Sequence, residues 1–272
     1  MDITKKKADR ENYILELLSQ NGTVKINELS KQLNVTRETI RRDLKDLQNK
    51  GLLICIHGGA TISTPTNSTY EINAANVKYV REKNAIAKKA AELINDYEAV
   101  IILASTTTER LAPYLPQKNH LTVITNSFTI ATYTLQNPTN SVIVLGGYYD
   151  SNLQATTGDY TTESLERYRA DKVFFSPRGV SCLYGITSHP ESETRVIKTA
   201  ISVSKKAILL SDYSKFWTVG IYKLCDISEI DTIISDRSLS EKKIKELTDN
   251  KIQVILADYL ATPTELPASP GL

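Results

Sequence analysis

The chain has little of the chemistry that builds metal, redox or disulfide proteins: three cysteines, three histidines, one methionine and one tryptophan in 272 residues. Cys55, Cys182 and Cys225 are odd in number and none stands in a C-x-x-C pair, so neither a disulfide framework nor a zinc ligand set is indicated. No metal and no cofactor is therefore expected. Long apolar runs are missing too. Nothing approaches the roughly 20 residues a membrane helix needs. The start, Met1 to Lys7, is polar where a signal peptide would be apolar, so a cytoplasmic protein without membrane contact is expected. A strong net charge is also absent, at only +2, but the charge is unevenly spread. Residues 1–62 hold 11 Lys and Arg against 8 Asp and Glu, and the rest hold 22 against 23. The positive excess sits in the first module.

What that module contains is a short amphipathic helix, Val35 to Leu44 and beyond. At about 100° per residue Ile40, Leu44 and Leu47 share one side, while Glu38, Thr39, Arg41, Arg42 and Lys45 point away from it. Thr36 is placed to cap it, an interaction worth about 1 kcal/mol. Upstream, Tyr13, Ile14, Leu17 and Leu18 mark a first helix, and Ile26, Leu29 and Leu33 a second. The second ends near Asn34, which tolerates the left-handed backbone of a tight turn. Three helices with a tight turn between the second and third make a helix-turn-helix. Gly51 suits the end of the third helix. Leu52 to Ile56 running into His57-Gly58-Gly59-Ala60-Thr61-Ile62 then suggests a two-stranded wing. The candidate contacts to double-stranded DNA are Thr36, Arg37, Glu38, Thr39, Arg41, Arg42, Lys45 and, on the wing, His57. Lys50 adds to the basic patch.

With Arg10, Val24, Leu29, Leu33, Val35, Thr39-Ile40-Arg41-Arg42-Asp43-Leu44, Leu47, Gly51-Leu52 and His57-Gly58-Gly59-Ala60, this stretch resembles the DNA-binding domain of the DeoR family of bacterial transcriptional regulators. The family often has a basic residue where this chain has Cys55.

From Thr61 to about Val80 the composition is that of a linker, rich in Thr, Ser, Asn and Pro. Seven apolar runs follow: 99–104, 121–125, 141–145, 172–176, 207–211, 232–235 and 252–257. Helical patterns at 84–95, 127–135, 160–169, 191–203 and 240–250 separate them. Continuous rather than alternating apolar strands mark a parallel sheet covered on both faces, an α/β domain with helices on either side. In such sheets ligands collect beyond the carboxyl ends of the strands. Four segments fall there: Ser105-Thr106-Thr107-Thr108, Thr125-Asn126-Ser127, Leu145-Gly146-Gly147 and Arg178-Gly179. The first is suited both to capping a helix and to holding an anion, and the residues alone leave both open.

This second domain is similar to the C-terminal effector domain of the same family. The landmarks are Ile86-Ala87, Thr106-Thr107-Thr108, Thr125-Asn126-Ser127, Leu145-Gly146-Gly147, Gly158, Asp171, Gly179, Gly185-Ile186-Thr187, Lys198, Ser214-Lys215-Phe216 and Ile230-Asp231. The resemblance implies a fold related to ribose-phosphate isomerases and a phosphorylated sugar or related metabolite as effector. Where the family's phosphate loop usually reads Asp, a small residue and Gly before three threonines, this chain has Leu103-Ala104-Ser105. That removes a carboxylate and a glycine's freedom of close approach. On this reading Thr106, Thr107 and Thr108 take phosphate oxygens, Arg178, Lys198 and Lys215 supply cations, and Asn126, Glu193 and Asp212 meet hydroxyls. Ser105, Gly147 and Gly179 complete the edge. The boundaries expected are 7–62 for a winged helix-turn-helix, 63–80 for a linker, 81–258 for effector sensing and oligomerisation, and 259–272 for a Pro-rich tail. A sugar-phosphate isomerase fused to a DNA-binding module is the alternative. No acid/base constellation with diagnostic spacing supports it, so no catalytic residue is named. The expected protein is a homo-oligomeric repressor of carbohydrate genes, dimeric or tetrameric.

Overall fold

The computed structural model describes residues 7, 10–11, 13–14, 17–18, 23–49, 53–56, 58–61, 78–151, 153–188 and 191–258. The chain divides into two compact units, Met1–Val80 and Arg81–Leu272.

In the first unit the described residues between 7 and 18 are helical. They are followed by β1 (Thr23–Lys25), α1 (Ile26–Gln32), α2 (Arg37–Asn49), β2 (Ile54–Ile56) and β3 (Gly59–Thr61). The apolar faces read from the sequence meet in one core: Ile14 and Leu18, Leu29 and Leu33, and Ile40, Leu44 and Leu47 are all buried together. Between α1 and α2 the chain turns at Asn34, whose φ is +48°. One expectation changes. The wing is not a two-stranded ribbon, because β1 joins it as an outer strand in the antiparallel order β1-β3-β2. Three residues are too few to show a period of two, so nothing in Thr23-Val24-Lys25 announced a strand. The pairing of Val24 with Ala60 brings backbone so close that a Cβ on Gly59 would lie 2.0 Å from the Val24 carbonyl oxygen. Only glycine fits there. Gly51, His57, Lys50, most of the linker and the tail lie outside the described residues.

The second unit opens with α3 (Val80–Glu92) and β4 (Ala99–Ile102). It continues through β5 (Thr122–Thr125), α4 (Phe128–Thr134), β6 (Ser141–Val144), β7 (Tyr148–Asp150), β8 (Ala155–Thr157), α5 (Asp159–Glu166) and β9 (Ala170–Phe175). Then come β10 (Gly179–Ser181), β11 (Gly185–Ser188), α6 (Glu191–Ser202), β12 (Ser204–Leu210), β13 (Tyr222–Cys225), β14 (Thr232–Asp236), α7 (Glu241–Asp249) and β15 (Gln253–Ala257). Seven strands form one sheet in the order β15-β14-β12-β9-β4-β5-β6, every neighbouring pair parallel. They are the seven apolar runs of the sequence. Alternate residues feed two cores: Val100, Ile102 and Phe174 pack with Ile86 and Ala90 of α3. Ile101, Val173 and Phe175 pack with Val196, Ile197 and Ala200 of α6. Both faces are covered, which is why the strands are apolar throughout.

Elements the sequence did not announce are added around this sheet: the hairpin β7–β8 and the antiparallel sheet β10-β11-β13. After β4, where a helix was expected, the chain forms a 3-10 helix at Thr108–Gln117. Pro113 and Pro116 lie within it, and each removes an N–H that an α-helix would use. The strand order reverses between β4 and β9: β5 and β6 are laid down on one side of β4, while β9, β12, β14 and β15 grow outward on the other. In open parallel sheets a reversal of this kind is where ligand crevices form beyond the carboxyl ends of the strands, and here the loops after β4, β9 and β12 lie at that edge.

Candidate functional site

On α2 the Thr36 hydroxyl accepts the Thr39 N–H at 3.1 Å, the cap read from the sequence. Arg37, Glu38, Arg41, Arg42 and Lys45 are exposed and Thr39 is half-buried. The Glu38 carboxylate lies 3.4 Å from Arg41 and 3.8 Å from Arg42. Such exposed pairs contribute at most about 1 kcal/mol, so either arginine can leave for a phosphate or base edge. The helix is anchored by a contact the sequence reading did not name: Arg10 Nε and Nη2 donate to Asp43 Oδ2 and Oδ1 at 2.8 and 3.0 Å. The signal was Asp43 itself, a carboxylate next to Leu44 and three residues from Ile40, on the rim of the buried stripe. The Cys55 N–H of β2 donates to Gln48 Oε1 at 2.7 Å, tying the wing to the same helix.

In the second unit the four edge segments lie where the strand topology requires, at the carboxyl ends of β4, β5, β6 and β9. Their hydroxyls are not equivalent. Ser105 Oγ accepts the N–H groups of Thr107 and Thr108 at 3.3 and 3.0 Å, and Thr108 Oγ1 donates to the Leu103 carbonyl at 2.5 Å. These two shape the turn, and Thr107 is buried within it. Thr106 faces charge: its hydroxyl accepts from Lys83 Nζ at 2.9 Å and its carbonyl from Arg110 Nε at 3.2 Å. Asn126 is engaged at both atoms of its amide, its Oδ1 accepting the Ala104 N–H at 2.8 Å and its Nδ2 donating to the Thr156 carbonyl at 3.0 Å. It holds the loop after β4 to β8. Gly147, at φ +144°, packs on α5, and Gly179 opens β10 against the Thr218 carbonyl.

Glu193, in the first turn of α6, accepts from Ser188 Oγ at 3.2 Å. Burial pushes its carboxyl up to about 7, although Ser188, Lys215 and Arg178 all pull it down; Asp150 adds to the rise. Glu193, Lys215 and Arg178 are thus brought together. Lys198, five residues on, is turned about 140° around the helix and is exposed. Its charge reaches Cys225 and it does not join them. Asp212 is 1% exposed; its Oδ1 accepts from the Ser214 N–H and hydroxyl, and its Oδ2 is buried without a hydrogen-bond partner.

Two cations at this edge were not foreseen. Lys83, in the first turn of α3, is 2% exposed, and burial lowers its ammonium to about 7. Asp212 and Glu82 raise it while Arg110 and Lys215 lower it further. Arg110, lowered to about 10 by burial, also donates to Asn84 Oδ1 at 2.8 Å. The trace of Lys83 in the sequence is its spacing, three and four residues before Ile86 and Ala87, which puts a lysine on a buried stripe. Lys83 and Arg110 thus meet at Thr106, and the charge of Lys215 reaches Lys83. Among the described residues no cluster of three or more His, Cys, Asp or Glu is arranged for a metal, and no helix is long and apolar enough to cross a membrane.

Comparison with known proteins agrees with this architecture. Residues 10–66 match the DeoR-like helix-turn-helix domain and residues 78–237 the DeoR C terminal sensor domain. An HTH-type transcriptional regulator of Haemophilus influenzae is 31% identical over 92% of this chain and 97% of its own. The lactose phosphotransferase system repressor of Staphylococcus epidermidis is 33% identical over 92% of this chain and 99% of its own. Among solved structures, ribose 5-phosphate isomerase A from Neisseria gonorrhoeae is similar at 15% identity and a TM-score of 0.36, over 49% of this chain and 52% of that one. The relatives are regulators, which removes the isomerase alternative: the chain belongs to the DeoR family of DNA-binding transcriptional regulators and is not an enzyme.

Proposed function

We propose that the protein is a cytoplasmic repressor of carbohydrate-metabolism genes whose second unit responds to a phosphorylated sugar. The observation that carries the effector half of this reading is the pairing of Thr106 with Lys83 and Arg110 after β4, together with Glu193 lying within reach of the charges of Lys215 and Arg178. Hydroxyl and cations there suit a phosphate, and a desolvated carboxyl suits sugar hydroxyls. The name of the staphylococcal relative supports the carbohydrate assignment. The DNA half rests on the exposed face of α2, with Thr36, Arg37, Glu38, Thr39, Arg41, Arg42 and Lys45 as contacts and His57 added by the wing.

In the mechanism we infer, residues 7–62 bind DNA and 81–258 sense the effector and oligomerise. Two recognition helices of a dimer or tetramer engage half-sites one or two helical turns apart, and effector favours a spacing that no longer matches. Coupling energies of about 1–3 kcal/mol per ligand are enough to release DNA when summed over subunits. The test is capture of genomic fragments by the purified protein, repeated with aldose and ketose phosphates, together with a thermal shift panel. Selective capture released by one ester is the expected result. Capture unaffected by every ester, with no shift in melting, would remove the effector assignment.

A further inference from the structure

From Leu121 through Tyr149 the chain carries no Asp, Glu, Lys, Arg or His, although 24% of its residues are Asp, Glu, Lys or Arg. Burial accounts for β5 and for the inner side of α4, where Ile130 and Tyr133 are buried. It does not account for the rest. Phe128 opens α4, Leu135 ends it, Val144 closes β6 and Tyr148 and Tyr149 begin β7, and these five side chains are between 42% and 75% exposed. Phe128 and Tyr149 lean together with ring centroids 5.7 Å apart, which joins the helix to the hairpin and still leaves both half-exposed. Single exposed apolar residues are ordinary, but a group of them with no charge between marks a surface made for a partner.

β6 is also the outer strand of the seven-stranded sheet, and among the described residues it pairs only with β5. The Ser141 and Leu145 N–H groups donate to the Leu121 and Thr125 carbonyls, so the alternate residues Val142 and Val144 turn their own N–H and carbonyl groups outward. Open edges are normally blunted by charge or proline. The opposite edge follows that rule, with Lys88, Lys89, Glu92 and Asp258 around Leu256 of β15. The strand Ser141-Val142-Ile143-Val144 has neither device.

Resting on the homo-oligomeric reading above, we propose that β6, with the exposed ends of α4 and the aromatics of β7, is the surface through which the sensor unit pairs with a second copy of this chain. The occupant follows from charge. A two-fold contact sets a surface against itself, so a charge near the axis meets its own like, whereas an uncharged surface is its own complement. A charged partner finds nothing here to pair with. An antiparallel arrangement with its axis at Ile143 sets Val142 of one copy opposite Val144 of the other, and the outward N–H of each donates to the outward carbonyl of its opposite. Phe128, Tyr148 and Tyr149 supply the large aromatic area, free of charge, in which the cores of such contacts are enriched.

The test uses the full chain, with mass read by sedimentation over a range of concentrations. The wild type is expected as a dimer or tetramer. Val144→Lys should lower the assembly by one step or raise its dissociation constant at least tenfold, because the two new charges lie diagonally across the axis at about 7–8 Å. Val144→Glu should do the same, and an equimolar mixture of the two variants should recover the wild-type mass, which misfolded chains could not do. Leu183→Lys, at a still more exposed apolar residue in the turn between β10 and β11, is the control and should leave the mass unchanged. Ile143→Cys, in a chain whose exposed Cys55 is replaced by serine, should cross-link to itself under copper-catalysed air oxidation, since directly opposed residues of an antiparallel pair lie within reach of a disulfide. Dissociation without that cross-link would keep the surface and overturn the axis at Ile143. An oligomeric wild type with both Val144 variants unchanged in mass would overturn the surface and leave the oligomeric reading standing. A lower melting temperature for Val144→Lys at unchanged mass would mean that the chain's own linker or tail covers β6, which also overturns it. A wild type that is monomeric at every concentration would remove both readings.

Discussion

Arg10 and Asp43 meet through two parallel hydrogen bonds, Nε to Oδ2 at 2.8 Å and Nη2 to Oδ1 at 3.0 Å, across 33 residues of sequence. Both side chains are largely shielded from solvent. The fork joins the first helical segment to α2 and leaves Arg37, Glu38, Arg41, Arg42 and Lys45 of α2 exposed. Asp43→Ala would strand a buried guanidinium and should cost about 3 kcal/mol. Urea denaturation of the full chain should show the loss in the transition of the first unit. The double variant Arg10→Met with Asp43→Leu should recover most of it, since it leaves no unpaired charge. A cost below about 1 kcal/mol for Asp43→Ala would mean the fork does not hold the helix.

Arg42 is exposed and paired with Glu38 only at 3.8 Å. Arg42→Ala should weaken binding to a captured DNA fragment by about 1–3 kcal/mol if it reads a base edge. It should reduce the salt slope by about one if it touches phosphate alone. Equilibrium titrations at several salt concentrations separate the two, and an unchanged affinity and slope would move the DNA face elsewhere.

Gly147→Ala should destabilise the sensor unit by about 2 kcal/mol. Its φ of +144° disfavours any L side chain, and the new Cβ would fall 2.0 Å from Thr161 Oγ1. That hydroxyl donates to the Gly146 carbonyl at 2.7 Å, so the bond that seats α5 is lost as well. Gly146→Ala, where a Cβ meets nothing within 4 Å, is the control and should change stability by less than about 0.5 kcal/mol. Thermal unfolding of the two variants side by side gives the answer.

The two perturbed groups of the crevice predict opposite pH trends. Lys83 sits at about 7 when folded against an ordinary 10.5. The unfolded chain therefore binds the extra proton between those values, and this group makes stability rise with pH across that window. Glu193 sits at about 7 against an ordinary 4.5, so the folded chain binds the extra proton and its contribution falls as pH rises from 4.5 to 7. Melting temperatures measured across pH should show the gap between wild type and Lys83→Met changing above pH 7. The gap to Glu193→Gln should change below it. Parallel curves for either variant would mean that its side chain is not held as described.

The seven parallel strands were legible because a strand buried on both faces must be apolar throughout. Each run in the sequence overlies its strand with ends differing by at most three residues, the largest shift being Ala207 against Ser204. The helix-turn-helix was legible for the same reason, since Ile40, Leu44 and Leu47 repeat at the helical period and Asn34 marks the turn. Strands β1, β7, β8, β10, β11 and β13 were not. They span three or four residues, too few to show a period of two, and what makes them strands is their pairing, local in the hairpins β7–β8 and β10–β11 and distant in the chain where Val24 needs Ala60.

The chemistry of the crevice divides along the same line. Amino-acid order alone determined which loops reach the carboxyl edge and that they carry threonines, a lysine and an arginine, because local periodicity decides where strands end. Which of those groups confront one another was decided only by the tertiary structure. It spent Asn126 on backbone, turned Lys198 outward, and carried Lys83 from a helix 23 residues away onto Thr106. Periodicity specifies which face a side chain occupies. Burial and charge depend on what the other faces bring against it, and that is known only once the sheet has closed its order.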